Sequence, residues 1–383
     1  MPSLRAFPGI IHPGAESPAR TSYGVVRFLH MRDDQPQRAA GIDIAEFSSG
    51  FMVRQAEPLR VHNLNNTASA ILELCDGQTT VAEIAAEIAG AFGLDALPLA
   101  EVTACVAELR CAGILADRRV ILFRFYNQFD ACRERLRILR HFNPDVPIYG
   151  LYGGPPEDWD DARQSVEDAV VHLHTWSAVD PYWKWLHTDL SVKEWFRAYG
   201  HAIPFDLLYE YDYDMLVCAP LHVVYPRLPA NGLGFTAVRR TESMANQWQW
   251  IAHPDFRPSY LAFCDYLAER YAVDSIEQVI WGAAPLLTRR FLTEFCQLED
   301  CDLVLCELTY PAFAQVLGFK LVDNGFRSEE SERLFHCYGP SIDWEDIQSE
   351  LRCGPRRVFH PVKYRVTLEQ VVSALPDASC GHP

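Results

Sequence analysis

The chain has 383 residues, of which 49% are hydrophobic and 12% aromatic, so it can build folded cores and is not a disordered protein. Its 34 basic and 51 acidic residues leave a net charge of −17, which argues against a nucleic-acid partner because phosphate backbones are bound by basic surfaces. Without a membrane-length apolar run or a secretory signal, the sequence is expected to be a soluble, cytoplasmic protein of two domains.

The first 118 residues contain an extension and a compact unit. Residues 1–40 are rich in Pro, Arg and Gly without sustained periodicity, and we interpret them as an N-terminal extension. Alternating runs then predict three strands, at residues 42–47, 51–55 and 59–63. Three helical runs follow, beginning at Asn65 or Asn66, at Thr79 or Thr80, and at Leu99. Residues 41–118 are therefore predicted to form a small winged-helix-like unit.

Four segments of this unit resemble a known family. They are Leu64-Asn-Asn-Thr-Ala68, Ile71-Leu-Glu-Leu-Cys-Asp-Gly77, Thr80-Val-Ala-Glu-Ile-Ala85 and Leu109-Arg-Cys-Ala-Gly-Ile-Leu115. On these motifs the unit resembles the PqqD-like peptide-binding domain, also called the RiPP recognition element. The resemblance implies that the leader of a ribosomally made precursor peptide adds as a strand at the edge from Leu59 to Leu64. It would face the helix from Val102 to Leu109, with backbone hydrogen bonds giving affinity and side-chain pockets giving selectivity.

A winged helix that binds DNA is the alternative for this unit, and charge decides between the two. Between residues 42 and 118 there are eleven acidic side chains and four arginines. A helix that faces phosphates would not carry such an excess of negative charge. The sequence therefore favours peptide binding.

The second domain is predicted to span residues 119–375, followed by a tail at 376–383. A strand at 120–126, a helix at 130–141 and a strand at 147–151 indicate a βαβ unit, and a further strand is predicted at 169–173. The fold class is thus α/β, with an α+β N-terminal part and a partly parallel sheet that binds ligands at its strand ends. Because almost no linker separates the two domains, we expect them to hold a fixed relation.

An acidic strand is the most informative stretch of the second domain. Glu210, Asp212 and Asp214 occupy every second position after an apolar run, which would place them on one face of a strand. Carboxylates so close together repel one another unless a cation lies between them. Oxygen ligands of this kind suit Mn²⁺ or Mg²⁺, usually shared with nucleotide phosphates. Near the C-terminus, Val358-Phe-His-Pro-Val-Lys363 adds a histidine and a lysine.

This domain resembles a GT-A-type glycosyltransferase. The likeness rests on Tyr211-Asp-Tyr-Asp-Met-Leu216, on Glu307 with residues 314–319, and on Phe359-His-Pro-Val-Lys363. It implies a nucleotide-diphosphate sugar as donor, such as a UDP-sugar, and a metal bound by Asp214 and His360. By the same resemblance, Asp212 contacts the ribose or reaches the metal through water, and Lys363 lies at the diphosphate.

Further site residues follow from the resemblance. Glu307 is expected to be the catalytic base that takes the acceptor's proton, at the start of a helix after an apolar strand at 302–306. Arg124, Tyr126 and Asn127, at the end of the first strand of the domain, are expected to contact the base and ribose of the donor. Asp189 is expected to contact the nucleotide or the sugar.

The sequence therefore predicts a leader-guided glycosyltransferase that modifies a ribosomally made precursor peptide. Two alternatives stay open: a nucleotidyltransferase on the same fold, and a non-catalytic escort that presents the precursor to other enzymes. A metal-cluster enzyme is disfavoured, because the twelve cysteines include no Cys-x-x-Cys pair and are expected to be reduced, buried side chains.

Overall fold

The structure is a computed structural model that describes residues 35–39, 41–55, 59–176, 180–229, 231–280, 284–327, 333–336 and 339–376. Most of the predicted extension at 1–40, and all of the predicted tail except residue 376, lie outside the described residues. Within those ranges, no helix is both long enough and apolar enough to cross a membrane.

The small N-terminal unit has the three strands and three helices that the sequence predicts. They are β1 (Ile42–Phe47), β2 (Gly50–Gln55), β3 (Arg60–Leu64), α1 (Asn66–Leu74), α2 (Val81–Phe92) and α3 (Leu99–Cys111). The strands form an antiparallel sheet in the order β1-β2-β3, so β3 is an edge strand. Asn65 caps α1 by accepting a hydrogen bond from Ala68 N, and Thr80 caps α2 in a reciprocal capping box with Glu83.

A separate apolar core holds this unit together. The helices pack their apolar stripes against one face of β2, and Val53, Leu72 and Ile84 are wholly buried there. The chain just before β1 joins the unit as well, since Arg38 pairs with Leu115 through an isolated β-bridge. Burial of these side chains away from water is the main stabilising contribution for a unit of this size.

The second domain alternates strands and helices. It contains β4 (Arg119–Phe125), α4 (Phe129–Phe142), β5 (Ile148–Tyr152), α5 (Trp159–Val166), β6 (His172–Thr175), α6 (Pro181–Leu186), α7 (Thr188–Ala198), β7 (Leu207–Asp212), β8 (Leu216–Val217), α8 (Leu221–Val224), β9 (Gly232–Phe235), β10 (Arg239–Arg240), α9 (Thr241–Met244), α10 (Gln249–Ala252), α11 (Arg257–Tyr271), β11 (Gln278–Val279), β12 (Leu286–Thr288), α12 (Arg289–Phe295), α13 (Cys306–Val316), β13 (Lys320–Asp323), α14 (Trp344–Cys353), β14 (Val358–Phe359) and α15 (Leu368–Ala374). The α/β class predicted from the sequence is confirmed.

A seven-stranded mixed sheet is the centre of this domain. Its order is β13-β9-β12-β7-β4-β5-β6, with β7, β4, β5 and β6 parallel to one another. Side chains alternate across it: Ile121 and Phe123 face one core with α4 and α5, while Val120 and Leu122 face the other with α7 and α13. Helices therefore cover both faces, as a buried parallel sheet requires.

The C-terminal segment folds back onto α4. Leu351 from α14 and Val371 from α15 share a third apolar cluster with Ile138 from α4. The strands β14 and β8 pair antiparallel, with Phe359 opposite Leu216. This short ladder brings the C-terminal histidine segment beside the turn that follows β7.

The two domains meet at Asp206, which directly precedes β7. Its carboxylate accepts hydrogen bonds from Arg118 N at 2.8 Å, Arg118 Nε at 3.0 Å and Arg118 Nη2 at 2.8 Å. Arg110, near the end of α3, lies 3.8 Å from the same carboxylate. These contacts oppose the effect of burial and lower the pKa of Asp206. This carboxylate thus links the end of α3 to the start of the acidic strand, beside the parallel ladder that already joins β4 to β7.

Two predicted strands differ from the structure. The strand predicted at 169–173 is β6, which begins three residues later, because residues 169 and 170 still make turn hydrogen bonds to Val166 O at the end of α5. The strand predicted at 302–306 is absent, although those residues are described. There Leu305 O accepts from Leu308 N and Thr309 N, so the backbone enters α13 and forms helical hydrogen bonds instead of a ladder.

Candidate active site

The carboxyl ends of β4 and β7 bring three charged side chains together. Arg124 lies opposite Asp212 in the parallel ladder. Its Nε lies 3.0 Å from Glu210 Oε1, and its Nη2 lies 2.5 Å from Asp212 Oδ1. Glu210 and Asp212 share a face because they are two residues apart on a strand, and Arg124 projects to the same face from the neighbouring strand.

Burial controls the charges of this trio. It raises the pKa of Glu210 to about 7 and also raises the pKa of Asp212, while the guanidinium of Arg124 opposes both shifts. The sequence predicted that a cation must separate the carboxylates, and for this pair the cation is Arg124 rather than a metal. Arg124 therefore orients Asp212, and its guanidinium is committed to these two carboxylates.

Asp214 and His360 form a second pair, brought together by the β8–β14 ladder. Asp214 lies in the turn before β8, and His360 directly follows β14. Nε2 of His360 lies 3.4 Å from Oδ1 of Asp214, and both side chains are largely buried. Nδ1 of His360 lies 2.7 Å from His336 O, an acceptor for its proton, so in the neutral ring the lone pair is on Nε2, the nitrogen nearer Asp214.

Each member of this pair shifts the pKa of the other. Burial alone would raise the pKa of Asp214, but His360, Lys363 and Arg135 outweigh it and the net pKa is lowered. Burial alone would lower the pKa of His360, but Asp214 and Asp212 outweigh it and the net pKa is raised. Asp214 is thus ionised at neutral pH, and a cation at this place would compete with a proton on His360.

Arg135 joins the two loops that carry this pair. Its guanidinium is fully buried on α4 and donates to Tyr213 O at 3.2 Å, to Val362 O at 2.9 Å and to Tyr364 O at 3.3 Å. Val362 N donates in turn to Asp214 O at 2.7 Å. Sequence patterns missed this residue, because an arginine inside an amphipathic helix reads as a solvent-exposed one.

The other predicted donor-binding residues lie at the same edge. Tyr126 follows β4, and its hydroxyl accepts a hydrogen bond from Tyr213 at 3.3 Å. Burial raises the pKa of Tyr126, and the charges of Asp214 and Asp212 add to the shift, so this phenol lies within their field. Asn127 next to it is exposed, as is Lys363, whose charge acts on Asp214.

Glu307 and Asp189 lie on the helices that cover the other side of β7. Glu307 is half-buried in the first turn of α13, as predicted for a helix start. One turn on, Tyr310 donates to Glu210 Oε2 at 3.0 Å, which links α13 to the acidic strand. Asp189 is fully buried on α7 and accepts a hydrogen bond from Thr309 at 2.8 Å. This placement does not support the direct nucleotide contact predicted for Asp189.

The Asp214–His360 pair fits a divalent cation. The ionised carboxylate is a suitable ligand for Mn²⁺ or Mg²⁺, and the imidazole lone pair, oriented by a backbone carbonyl, is accepted more readily by a transition metal such as Mn²⁺ than by Mg²⁺. Across the described ranges, no group of three or more His, Cys, Asp or Glu side chains has a geometry that could hold a metal ion. A cation here would therefore take its other ligands from water or from nucleotide phosphates, as Mg²⁺ sites commonly do.

The small unit has a groove between β3 and α3. A cavity of about 230 Å³ is lined there by His62, Leu64, Cys105, Glu108 and Ala112, among other residues. Val61 on β3 is exposed at the open edge of the sheet. Within the helix segment predicted to face the peptide, Val102 and Val106 belong to the core, and Cys105 and Glu108 face the groove.

Comparison with solved structures finds glycosyltransferases. Mouse xyloside xylosyltransferase 1 in its apo form is 11% identical, covering 64% of this chain and 96% of that chain with a TM-score of 0.30. The bifunctional glycosyltransferase WbbM is 9% identical, covering 71% and 54%, with a TM-score of 0.30. The galactosyltransferase LgtC with donor and acceptor sugar analogues is 12% identical, covering 54% and 67%, with a TM-score of 0.27. These TM-scores are low, and the fold described above is defined by the strand order of this chain.

The family comparison concerns the small unit. No curated protein sequence matches the chain. Residues 55–115 match the family model of PqqD, Coenzyme PQQ synthesis protein D. The match runs from the end of β2 to the segment after α3 and includes the groove between β3 and α3. The N-terminal unit of this chain is thus similar to PqqD, as its motifs predicted.

Proposed function

We propose that the chain is a leader-guided glycosyltransferase, which transfers a sugar from a nucleotide-diphosphate sugar to a side chain of a ribosomally made precursor peptide. The observation that carries this proposal is the convergence of Asp214 and His360, far apart in sequence, at the carboxyl edge of a parallel sheet. Ligands of such sheets bind at this edge. The second support is the similarity of residues 55–115 to PqqD, which points to a peptide as the acceptor.

In this proposal Asp214 and His360 hold Mn²⁺ or Mg²⁺, which when bound stabilises negative charge on the departing diphosphate. Lys363 adds positive charge at the same place, since its ammonium already acts on Asp214. Tyr126 and Asn127 contact the nucleoside from the exposed strand end, and a UDP-sugar is the donor to test first.

Two carboxylates have separate roles. Asp212 contacts the ribose, oriented by the guanidinium of Arg124. Glu307 takes the proton of the acceptor, and its place in the first turn of α13 is kept by the Tyr310–Glu210 hydrogen bond. Asp189 supports this helix through Thr309 and does not touch the donor.

The test uses the full chain, candidate precursor peptides taken from short open reading frames near its gene, Mn²⁺ and a panel of nucleotide sugars. A hexose-sized gain in peptide mass supports the proposal. A nucleotide-sized gain would indicate nucleotidyl transfer, and no turnover of any donor would indicate an escort protein.

Asp214→Ala is expected to reduce transfer at least about 100-fold, since it removes a ligand of the proposed metal ion, which stabilises the departing diphosphate. Asp130→Ala is the matched control, because that carboxylate is 79% exposed on α4 and is expected to leave transfer within about twofold. Unchanged binding of the peptide by Asp214→Ala would show that the variant is folded.

A further inference from the structure

A second, larger cavity lies beside the β3–α3 groove. It has a volume of about 500 Å³ and is lined by α1, the end of α2, the loop after α2 and the first half of α3. Its apolar lining consists mainly of Ile71, Ile88, Phe92, Leu94, Pro98 and Val102. Ala68, Cys105 and Glu108 line both this cavity and the groove, so the two are continuous. A volume of this order is that of a ligand pocket and is sufficient for a large apolar side chain.

The rim of this cavity exposes large apolar side chains to water. Phe92, which is 50% exposed, and Leu94, which is 46% exposed, both line the cavity. Leu97 at 63% and Leu99 at 47% are exposed on the same stretch, which runs from the end of α2 to the start of α3. Phe92 is not part of the apolar core of the unit. Exposed apolar side chains with a polar rim commonly mark a surface that binds a partner.

The negative charge around the cavity indicates which kind of partner binds there. Glu101 and Glu108 lie at the cavity, and the unit as a whole has eleven acidic side chains against four arginines between residues 42 and 118. A second copy of the chain would bring the same negative charge against this face, and an anionic bilayer would be repelled likewise. A peptide with an apolar side chain next to a basic one matches both the apolar lining and the acidic rim.

The position of the cavity indicates which part of the precursor peptide it contacts. β3 runs toward Leu64, and Asn65, Thr67 and Ala68 just beyond it line the cavity. A strand added to β3 would continue over this end of the sheet. We propose that the cavity binds an apolar side chain of the precursor leader, adjacent to the segment that pairs with β3 and accompanied by a basic residue. This inference rests on the proposed function and adds a second recognition point to it.

The experiment measures, by fluorescence anisotropy, the binding of a labelled candidate precursor peptide, taken from the short open reading frames near the gene, to the full chain. Phe92→Ser is expected to weaken binding about tenfold, because it removes apolar area from the cavity. Phe47→Ser is the matched control: it is 52% exposed in the same unit but lies on β1, at the opposite edge of the sheet from β3. It is expected to leave affinity within about twofold.

A scan of the peptide completes the test. At one apolar position of the peptide, substitution by alanine should weaken binding to the wild-type protein about tenfold. The same peptide substitution should change binding to Phe92→Ser very little, because both substitutions remove the same contact. Equal affinity of Phe92→Ser and wild type would overturn the inference alone. So would a change in sedimentation without a change in affinity, which would mark a self-association face. If the wild-type chain binds no peptide, both the peptide-guided function and this inference are refuted.

Discussion

Arg135 provides the sharpest test of how the candidate site is built. Its guanidinium donates to three carbonyls, those of Tyr213, Val362 and Tyr364, of which the last is partly exposed, and so connects the turn before β8 to the segment after β14. Arg135→Met keeps much of the aliphatic volume and removes all three donors. The carbonyls of Tyr213 and Val362 then stay buried without this partner, which costs more than the simple loss of a hydrogen bond.

The magnitude follows from those contacts. A hydrogen bond from a charged donor contributes about 1.5–3 kcal/mol, and the bonds at 3.2 and 3.3 Å are long, so we expect a loss of roughly 4 kcal/mol in the free energy of unfolding. Urea unfolding, followed by tryptophan fluorescence, measures the change. Arg133→Met is the control on the same helix, because that side chain is 54% exposed and pairs only with Asp130 in the described contacts.

The control should lose less than about 0.5 kcal/mol. Arg135→Met should also weaken Mn²⁺ binding, since Asp214 and His360 lie on the two segments that it releases. A loss below about 1 kcal/mol, or unchanged Mn²⁺ affinity, would refute the view that Arg135 holds the two segments together.

Three further predictions concern other parts of the chain. Burial raises the pKa of Asp189 to about 7, although the Thr309 hydrogen bond opposes this shift. The free energy of unfolding of the wild type should therefore fall as pH rises from about 4 to 7, by roughly 4 kcal/mol at most relative to Asp189→Asn, which cannot ionise. Parallel stability curves of the two proteins over that range would contradict this. Asp206→Ala should lower the free energy of unfolding by roughly 2 kcal/mol, because it removes the forked pair with Arg118, and a urea midpoint equal to wild type would show that solvent already screens the pair. Val61→Pro at the open sheet edge should weaken leader binding yet spare donor hydrolysis, measured as released nucleoside diphosphate; loss of both would argue against separate roles.

Elements with a strong local signal could be predicted from the sequence. Thr80 and Glu83 form the capping box that the helix start implied, and the βαβ unit that begins at β4 follows from hydrophobic periodicity. The stretch from Asp302 to Cys306 was predicted wrongly, because a short buried apolar run before a helix has the same pattern as a buried strand. Only the helical hydrogen bonds to Leu305 O distinguish the two.

The site itself was predictable as a set of residue types but not as a set of partners. Alternation predicted Glu210, Asp212 and Asp214 on one strand face, but β7 ends at Asp212 and only the first two share that face. The pattern also could not show that Arg124 on a neighbouring strand compensates them. Asp214 and His360 meet through a ladder of two residues per strand, which is too short to leave a periodic signal. Such contacts depend on how distant segments pack, and a single sequence does not contain that information in local form.

The Asp206 junction has a consequence for substrate length. The Asp206 contacts and the β4–β7 ladder together connect α3 to the acidic strand, so under the proposed function a leader bound at β3 would start at a set distance from the edge that carries Asp214. Each residue of an extended peptide adds at most about 3.5 Å of reach. The distance between the bound leader and the modified residue would then determine which residue is modified. Lengthening the peptide between them by a few residues should move the modification to a different residue.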